Sequence, residues 1–420
     1  MLQSLLPHLQ SALGIGVIIL AAWALSEDRR AFPWRTVAVG LVLQIALALL
    51  LLKVPPARDA LFSLNGAVDA LMAATRAGTS FVFGYPGGAA PPFAVTNPNA
   101  LSSFAFQVLP LVIVISALAA LLWHWRILPV VVGAFAWALR KTMGLGGAVG
   151  LGSAATVFLG MIEAPLLIRP YLEKLSRSEL FVLFTVGLAT VAGTVFVLYA
   201  TILRPAIPDA LGHILVASML SLPAAILIAR VMIPGEAKTE TDEAAEFEYR
   251  SSMDAIARGT EDGLKLWLSI VAMLLVIVAL VALADIILGH LPDLWGDKLT
   301  VERIFGWIFA PFVWLLGIPW SQTLAAGSLM GDKTVLNEFI AYLHLAALPA
   351  GALEPRSKLI MLYALCGFAN LGSVGIMIAS IGSLAPKRRD EIVPLALRAL
   401  VSGTLASAMT GAVIGLLPVA

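Results

Sequence analysis

An all-α polytopic membrane protein is the fold class this sequence predicts: about eight transmembrane helices plus two re-entrant helical hairpins in an inverted repeat, with interfacial helices. Three observations predict it. The 420 residues are 60% hydrophobic and only 13% charged, with a mean hydropathy of +0.94, whereas soluble domains carry roughly 25% charged residues. Apolar runs of about 20 residues, long enough to cross a bilayer, recur along the chain. Two apolar segments broken by Gly and Pro carry the carboxylates Glu163 and Glu338. A carboxylate at membrane depth normally faces a protein interior or a wet cavity, and a pair of them in corresponding interrupted segments suggests a site near the bilayer midplane.

The spans by length and hydropathy are 4–25, 36–53, 101–123, 178–203, 206–233, 264–289, 358–383 and 392–418. Basic residues orient them. Arg29, Arg30 and Arg35 follow the first span, Arg126, Arg140 and Lys141 follow the third, and Lys387, Arg388 and Arg389 precede the last. Eight spans with both termini outside put all three clusters on the cytoplasmic side. The N-terminus has no basic stretch of the signal-peptide kind, because the first Arg or Lys is Arg29, so the first apolar run reads as a retained span.

Three segments do not fit as simple spans. Residues 128–142 are apolar, too short to cross, and end in Arg140 and Lys141, which predicts a helix lying in the interface. Residues 145–172 are rich in Gly and small side chains and are broken by Pro165 and Pro170; residues 303–345 contain Gly317, Pro319, Gly327, Gly331, Asp332, Lys333 and Asn337. Both read as re-entrant hairpins, because irregular backbone is tolerated at membrane depth only where it lines a cavity. Each is followed by two spans, and the topology sends the first hairpin in from the cytoplasm and the second from outside. Hairpin–span–span repeated in opposite orientation is an architecture of secondary transporters. The predicted division is 1–142 for scaffold spans and interfacial helix, 143–233 for the first repeat, 234–302 for connector and central span, and 303–420 for the second repeat. Residues 234–263 hold nine acidic residues and read as a solvated cytoplasmic connector with a short helix near 244–258. The Gly/Pro-rich stretch 84–100 reads as an extracellular loop.

Composition removes several classes. A net charge of +1 supplies no basic face for nucleic acid. One cysteine, Cys366, excludes an internal disulfide and a multi-thiolate metal site, and the five histidines are scattered without ligand spacing.

The chemistry-bearing residues gather at four places. Glu163 and Glu338 either serve structure, held by helix-end amides or by Lys333, or accept hydrogen bonds from ligand hydroxyls or amino groups. An unpaired buried carboxylate discriminates strongly for ligands that satisfy it. In 366–375 three glycines with Asn370 and Ser373 break an apolar span and free half-helix ends for a ligand; the plainer reading is a small-residue packing seam. Phe368 suits either stacking on a planar ring or ordinary packing. In 190–195 the run Thr190-Val191-Ala192-Gly193-Thr194-Val195 is either a packing seam or, with Thr156, a source of oxygen ligands for a small cation.

These strings resemble the concentrative nucleoside transporter family, in its bacterial form. Carrying the resemblance are 78–84 (Gly-Thr-Ser-Phe-Val-Phe-Gly), 163–172 (Glu-Ala-Pro-Leu-Leu-Ile-Arg-Pro-Tyr-Leu), 317–320 (Gly-Ile-Pro-Trp), 331–342 (Gly-Asp-Lys-Thr-Val-Leu-Asn-Glu-Phe-Ile-Ala-Tyr) and 366–370 (Cys-Gly-Phe-Ala-Asn). The similarity runs in order from about residue 4 to residue 418. It implies a homotrimer in the inner membrane, each protomer with its own site, and cation-driven nucleoside uptake by an elevator movement, with no bound cofactor. It also implies ribose binding by Glu338, Asn370 and Ser373, beside Asn337, and a base side formed by Met161, Ile162, Glu163, Val195 and Phe368. A sodium site at Thr156, Leu159, Thr190 and Val191 is implied as well. Two departures matter. Many members have Gln-Thr or Gln-Ser where this chain has Met161-Ile162, so base recognition rests on shape, Glu163 and water, with a shifted or broader base preference. Sodium-coupled relatives have Asn where this chain has Thr156; losing one oxygen donor weakens a hard-cation site and tips the coupling ion, sodium or proton, slightly toward the proton.

Two other classes remain on the residues alone. An intramembrane enzyme would need a paired base, nucleophile or metal cluster, and a channel would show a repeated pore ring. The sequence supplies neither.

Overall fold

The computed structural model describes residues 2–97, 101, 103–235, 239, 249–294, 296 and 298–418. Among these the chain folds into α-helices: α1 Leu2–Ala24, α2 Trp34–Lys53, α3 Pro55–Phe83, α4 Leu111–His124, α5 Ile127–Met143, α6 Gly147–Leu159, α7 Ala164–Leu167, α8 Arg177–Ala189, α9 Gly193–Leu203 and α10 Ala210–Met232 in the first half. The second half has α11 Ser252–Leu288, α12 Val301–Leu315, α13 Thr323–Gly331, α14 Glu338–Ala347, α15 Pro355–Leu365, α16 Leu371–Leu384 and α17 Arg389–Leu416. Seven helical stretches are long and apolar enough to cross a bilayer, and they coincide with seven of the eight expected spans. The eighth, 358–383, is split into α15 and α16 by the unwound residues 366–370.

A helix forms over the stretch 128–142, as α5. Two helices differ from expectation. α3 was placed in no span, because Arg58, Asp59, Asp69 and Arg76 interrupt its apolar run; the helix forms nonetheless, opening on Pro55 at its first position, where the missing N–H costs nothing. The second hairpin was expected to begin at 303, but 301–315 is a separate helix, α12. The turn carrying Pro319 divides it from α13, and Arg356 ties that turn down by donating to the Gly317 carbonyl at 2.6 Å. The order membrane-length stretch (Phe104–His124, then Ser252–Leu288), intervening helix, hairpin, broken pair, long helix occurs twice, as α4 to α10 and as α11 to α17. Of the short helix expected near 244–258, the part 244–248 lies outside the described residues; the described helix starts at Ser252 and is α11 itself. Within 84–100, residues 98–100 lie outside them too, and 84–97 is a short 3-10 turn and irregular chain.

Both hairpins return to the end from which they start. The first opens beside Glu179, which accepts from the Thr239 amide at 2.9 Å near Gly146, and closes at Leu172 and Leu175, whose carbonyls accept from Arg388. Glu179 also closes a capping box with Ser176 at the start of α8. The second opens at Gln322, whose side-chain oxygen accepts from the Glu354 amide just past its close. At the first hairpin's end of the molecule Glu27 accepts from Arg177 at 2.8 Å and Arg398 at 2.6 Å. That gathers the loop after α1, the start of α8 and the body of α17 at one end, alongside the basic cluster at 387–389.

The core lies among α8, α10, α15 and α17, with Leu188, Ala225, Leu362 and Ala406 inaccessible. α11 is the opposite: none of its most apolar stretch is buried inside the protomer. It packs along α4 through Gly259 and Gly263, whose faces lie against Ser116, Ala117 and Ile113.

Candidate substrate site

The two helix breaks cross at the middle of the core. The Phe368 amide donates to the Thr190 carbonyl at 3.2 Å, so the unwound backbone of one half satisfies that of the other, as irregular chain at membrane depth requires. The approach is close: a Cβ on Gly367 would stand 2.8 Å from the Ala189 oxygen. The hairpin tips meet this crossing. At the first tip Gly160 has φ of +96°, a conformation that other residues adopt only with strain, and it sits against Ala192 in the break.

At the second tip Asn337 caps α14 by accepting from the Ile340 amide at 2.9 Å, which presents Glu338 as the first helical residue. A carboxylate there gains from the free amides and the helix dipole. Asn370 caps α16 in the same manner, its Oδ1 accepting from the Ser373 amide at 2.7 Å. The other end of that side chain is thereby turned outward, and its Nδ2 donates to Glu338 Oε2 at 3.1 Å. Tyr199 on α9 donates its hydroxyl to Glu338 Oε1 at 2.6 Å. An ionised carboxylate accepts about four hydrogen bonds, so Glu338 keeps capacity for a ligand. Lys333 does not hold it: the lysine donates instead to the Ala364 carbonyl at 2.7 Å and to Ser407.

These groups line one cavity of about 240 Å³. Met161, Ile162, Glu163, Val195, Asn337, Glu338, Phe368, Asn370 and Ser373 all face it, so every residue named from the sequence for substrate is brought to one place. Ile162 and Glu163 are exposed to it while Met161 is buried. Among the described residues no other side chain pairs with the Glu163 carboxylate. The sequence reasoning missed Tyr199, Thr194 and the α11 wall formed by Leu266, Ser269, Ile270, Met273 and Leu274. Tyr199 had a signal, since a tyrosine in an otherwise apolar helix needs a partner for its hydroxyl; the α11 wall had none.

Of the four residues named for a cation, Leu159 reaches the cavity wall and the others lie behind it. The Thr156 and Thr190 hydroxyls donate back to the carbonyls of Gly152 and Val186, each at 2.8 Å, which leaves oxygen lone pairs free. The Val191 carbonyl is reached by Ser218 at 3.5 Å. No cluster of three or more His, Cys, Asp or Glu occurs among the described residues.

A chain with two hairpins, two crossed breaks and polar anchors round one cavity has close counterparts. Family models described as Na+ dependent nucleoside transporter N-terminus, nucleoside recognition gate and Na+ dependent nucleoside transporter C-terminus match residues 13–86, 105–206 and 213–415. This chain belongs to the concentrative nucleoside transporter family. An uncharacterised transporter of Bacillus subtilis, YutK, is 37% identical over 96% of this chain and 98% of its own length. The nucleoside permease NupC of Helicobacter pylori is 36% identical over 97% of each chain. A solved structure of CNTnw in an inward-facing substrate-bound state superposes with a TM-score of 0.88 at 35% identity, covering 97% of each chain. The protein is therefore a multi-pass membrane transporter of a Na+-dependent nucleoside family and not an enzyme, and a coupling ion takes the place of any bound cofactor.

Proposed function

We propose that this transporter takes up nucleosides across the inner membrane in an elevator cycle, driven by a cation gradient. The ribose hydroxyls are held by Glu338, Asn370 and Ser373, with Asn337 behind them. The base lies between Phe368 and Val195, with Met161, Ile162 and Glu163 at its edge. The observation that carries this reading is the Glu338 carboxylate at a hairpin tip, held by Tyr199 and Asn370 and open to the cavity. A buried acceptor with spare capacity favours a ligand with hydroxyl donors.

The elevator reading has its own support. The polar anchors sit on hairpins and broken helices, while the facing wall on α11 is aliphatic apart from Ser269. A greasy wall without fixed hydrogen bonds lets the loaded body slide past it. The moving body is α6 to α10 with α12 to α17; the frame is α1 to α5 with α11. The unburied apolar length of α11, including Val278, Leu280 and Leu283, supports a homotrimer in which this helix faces its copies.

The coupling ion sits behind the first hairpin tip, where Thr156, Leu159, Thr190 and Val191 offer two hydroxyls and two carbonyls. Sodium fits the family and that oxygen set. A proton is the second reading, favoured because Thr156 supplies a hydroxyl where an Asn would offer a carbonyl, a stronger donor to a hard cation. Uptake by proteoliposomes under imposed sodium or pH gradients separates the two. A competition panel of nucleosides and free bases in the same vesicles tests the substrate: saturable, gradient-dependent nucleoside accumulation is expected, and gradient-independent flux would overturn the carrier reading. Met161 and Ile162 predict a broad base preference that includes purines; tight selectivity for uridine would contradict it.

A further inference from the structure

Behind each hairpin, three elements of the same rank in the repeat converge. In the first half they are Thr156 near the end of α6, Thr190 and Val191 at the end of α8, and Ser218 on α10, which reaches the Val191 carbonyl. In the second half the matching places belong to Lys333 just past α13, Ala364 near the end of α15, and Ser407 on α17. The register agrees at the tips as well: Thr156 stands four residues before Gly160, and Lys333 four before Asn337.

Lys333 is fully buried. Its Nζ donates to the Ala364 carbonyl at 2.7 Å and to the Ser407 hydroxyl, and among the described residues no carboxylate lies within ion-pair distance of it. An ammonium this deep is costly unless its surroundings favour charge. Here the favourable surroundings are oxygen dipoles at the C-terminal end of α15, where the helix dipole is negative. Hydroxyl and carbonyl oxygens at a helix end are also the ligands that a small hard cation takes.

We propose that Lys333 is a tethered cation: its ammonium fills, in the second repeat, the place that the transported ion takes in the first. One of two equivalent places is thereby closed, and the coupling is set at a single ion. The comparison between repeats rests on reading Thr156, Leu159, Thr190 and Val191 as the ion site.

The test compares Lys333→Ala, which opens a cation-sized space, with Lys333→Met, which fills it without charge. Nucleoside binding and the thermal midpoint of the purified full-length protein are measured against sodium and against methylammonium. Lys333→Ala is expected to weaken nucleoside binding about tenfold or more, because it leaves the buried Ala364 carbonyl without its donor behind the second hairpin. Methylammonium should restore both binding and thermal midpoint, and the Hill coefficient for sodium should rise from about one toward two, as expected when a second linked ion is required. Lys333→Met should lose binding with no rescue. Wild-type affinity and sodium dependence in Lys333→Ala would overturn the proposal, as would a thermal midpoint and affinity indifferent to both cations. If Lys333→Ala is recovered folded only with one of these cations present, the proposal is supported. Sodium-independent binding by the unaltered protein would instead sink the first-repeat ion site, and methylammonium rescue of Lys333→Ala would still decide the role of Lys333.

Discussion

Glu338 shows how two helix caps make a ligand acceptor. Asn337 and Asn370 each spend their side-chain oxygen on a backbone amide, which fixes Glu338 at one helix start and aims the Asn370 amide group at it. Removing the charge by Glu338→Gln replaces one acceptor oxygen with a donor beside Tyr199 and Asn370, which are donors themselves. Nucleoside binding is expected to fall by about a hundredfold, within the range for truncating a buried charged hydrogen bond, while the protein still purifies as a folded assembly. The ratio of affinities for a nucleoside and its 3′-deoxy analogue should shrink in the same variant. An unchanged ratio would remove Glu338 from the ribose side. Glu163, to which no other side chain among the described residues is paired, is by contrast proposed for the base edge, and Glu163→Gln is expected to alter the order of preference among bases more than total affinity.

At the level of elements, the crossing of the two breaks is the joint on which the site hangs. Gly367 lies so close to Ala189 that a Cβ would stand 2.8 Å from its carbonyl oxygen, and backbone on both sides must shift to admit it. Gly367→Ala is expected to cost about 1–3 kcal/mol by overpacking, read as a lower thermal midpoint, together with weaker nucleoside binding, because Phe368 and Asn370 move with the break. A variant with normal stability and affinity would show that the crossing is looser than drawn. A second joint lies outside the membrane, where Glu27 links the loop after α1 to α8 and α17. The hydrogen bond from Arg177, with its charge and that of Arg398, holds the Glu27 carboxyl below the usual carboxylate range despite partial burial. A depressed carboxylate contributes stability that is present above its unfolded pKa and lost as pH falls through the folded one. Solvent screening keeps this contribution to about 1 kcal/mol or less. Glu27→Gln should therefore lower the thermal midpoint at neutral pH and make no difference once the solution is acidic enough to protonate Glu27 in the parent protein.

For the whole molecule, the long exposed helix α11 sets the expected assembly. Its apolar surface exceeds what one protomer covers, and its inner side is the smooth wall of the cavity. The protein in mild detergent is expected to have a native mass of three chains. Leu275→Arg combined with Leu283→Arg, both exposed on this helix, should shift it toward the single chain; a trimer indifferent to both changes would move the interface elsewhere.

Sequence by itself determined the fold class, seven continuous spans and the first hairpin, because apolar length and proline breaks are local signals with strong energetic causes. Of the residues that line the cavity, Glu163, Glu338, Phe368, Asn370 and Ser373 stood out as polar or aromatic groups at broken spans, while Met161, Ile162, Val195 and Asn337 came from the family resemblance. It missed α3 and merged α12 into the second hairpin, since charged or partly polar helices fall below any hydropathy threshold and only packing decides where they end. Tertiary structure alone decided that the two breaks cross, that Tyr199 holds Glu338, that Lys333 turns away from it toward α15 and α17, and that α11 closes the cavity. Each of these is a contact between residues far apart in the chain, whose partner is chosen by which helices pack together and not by any pattern that one helix carries.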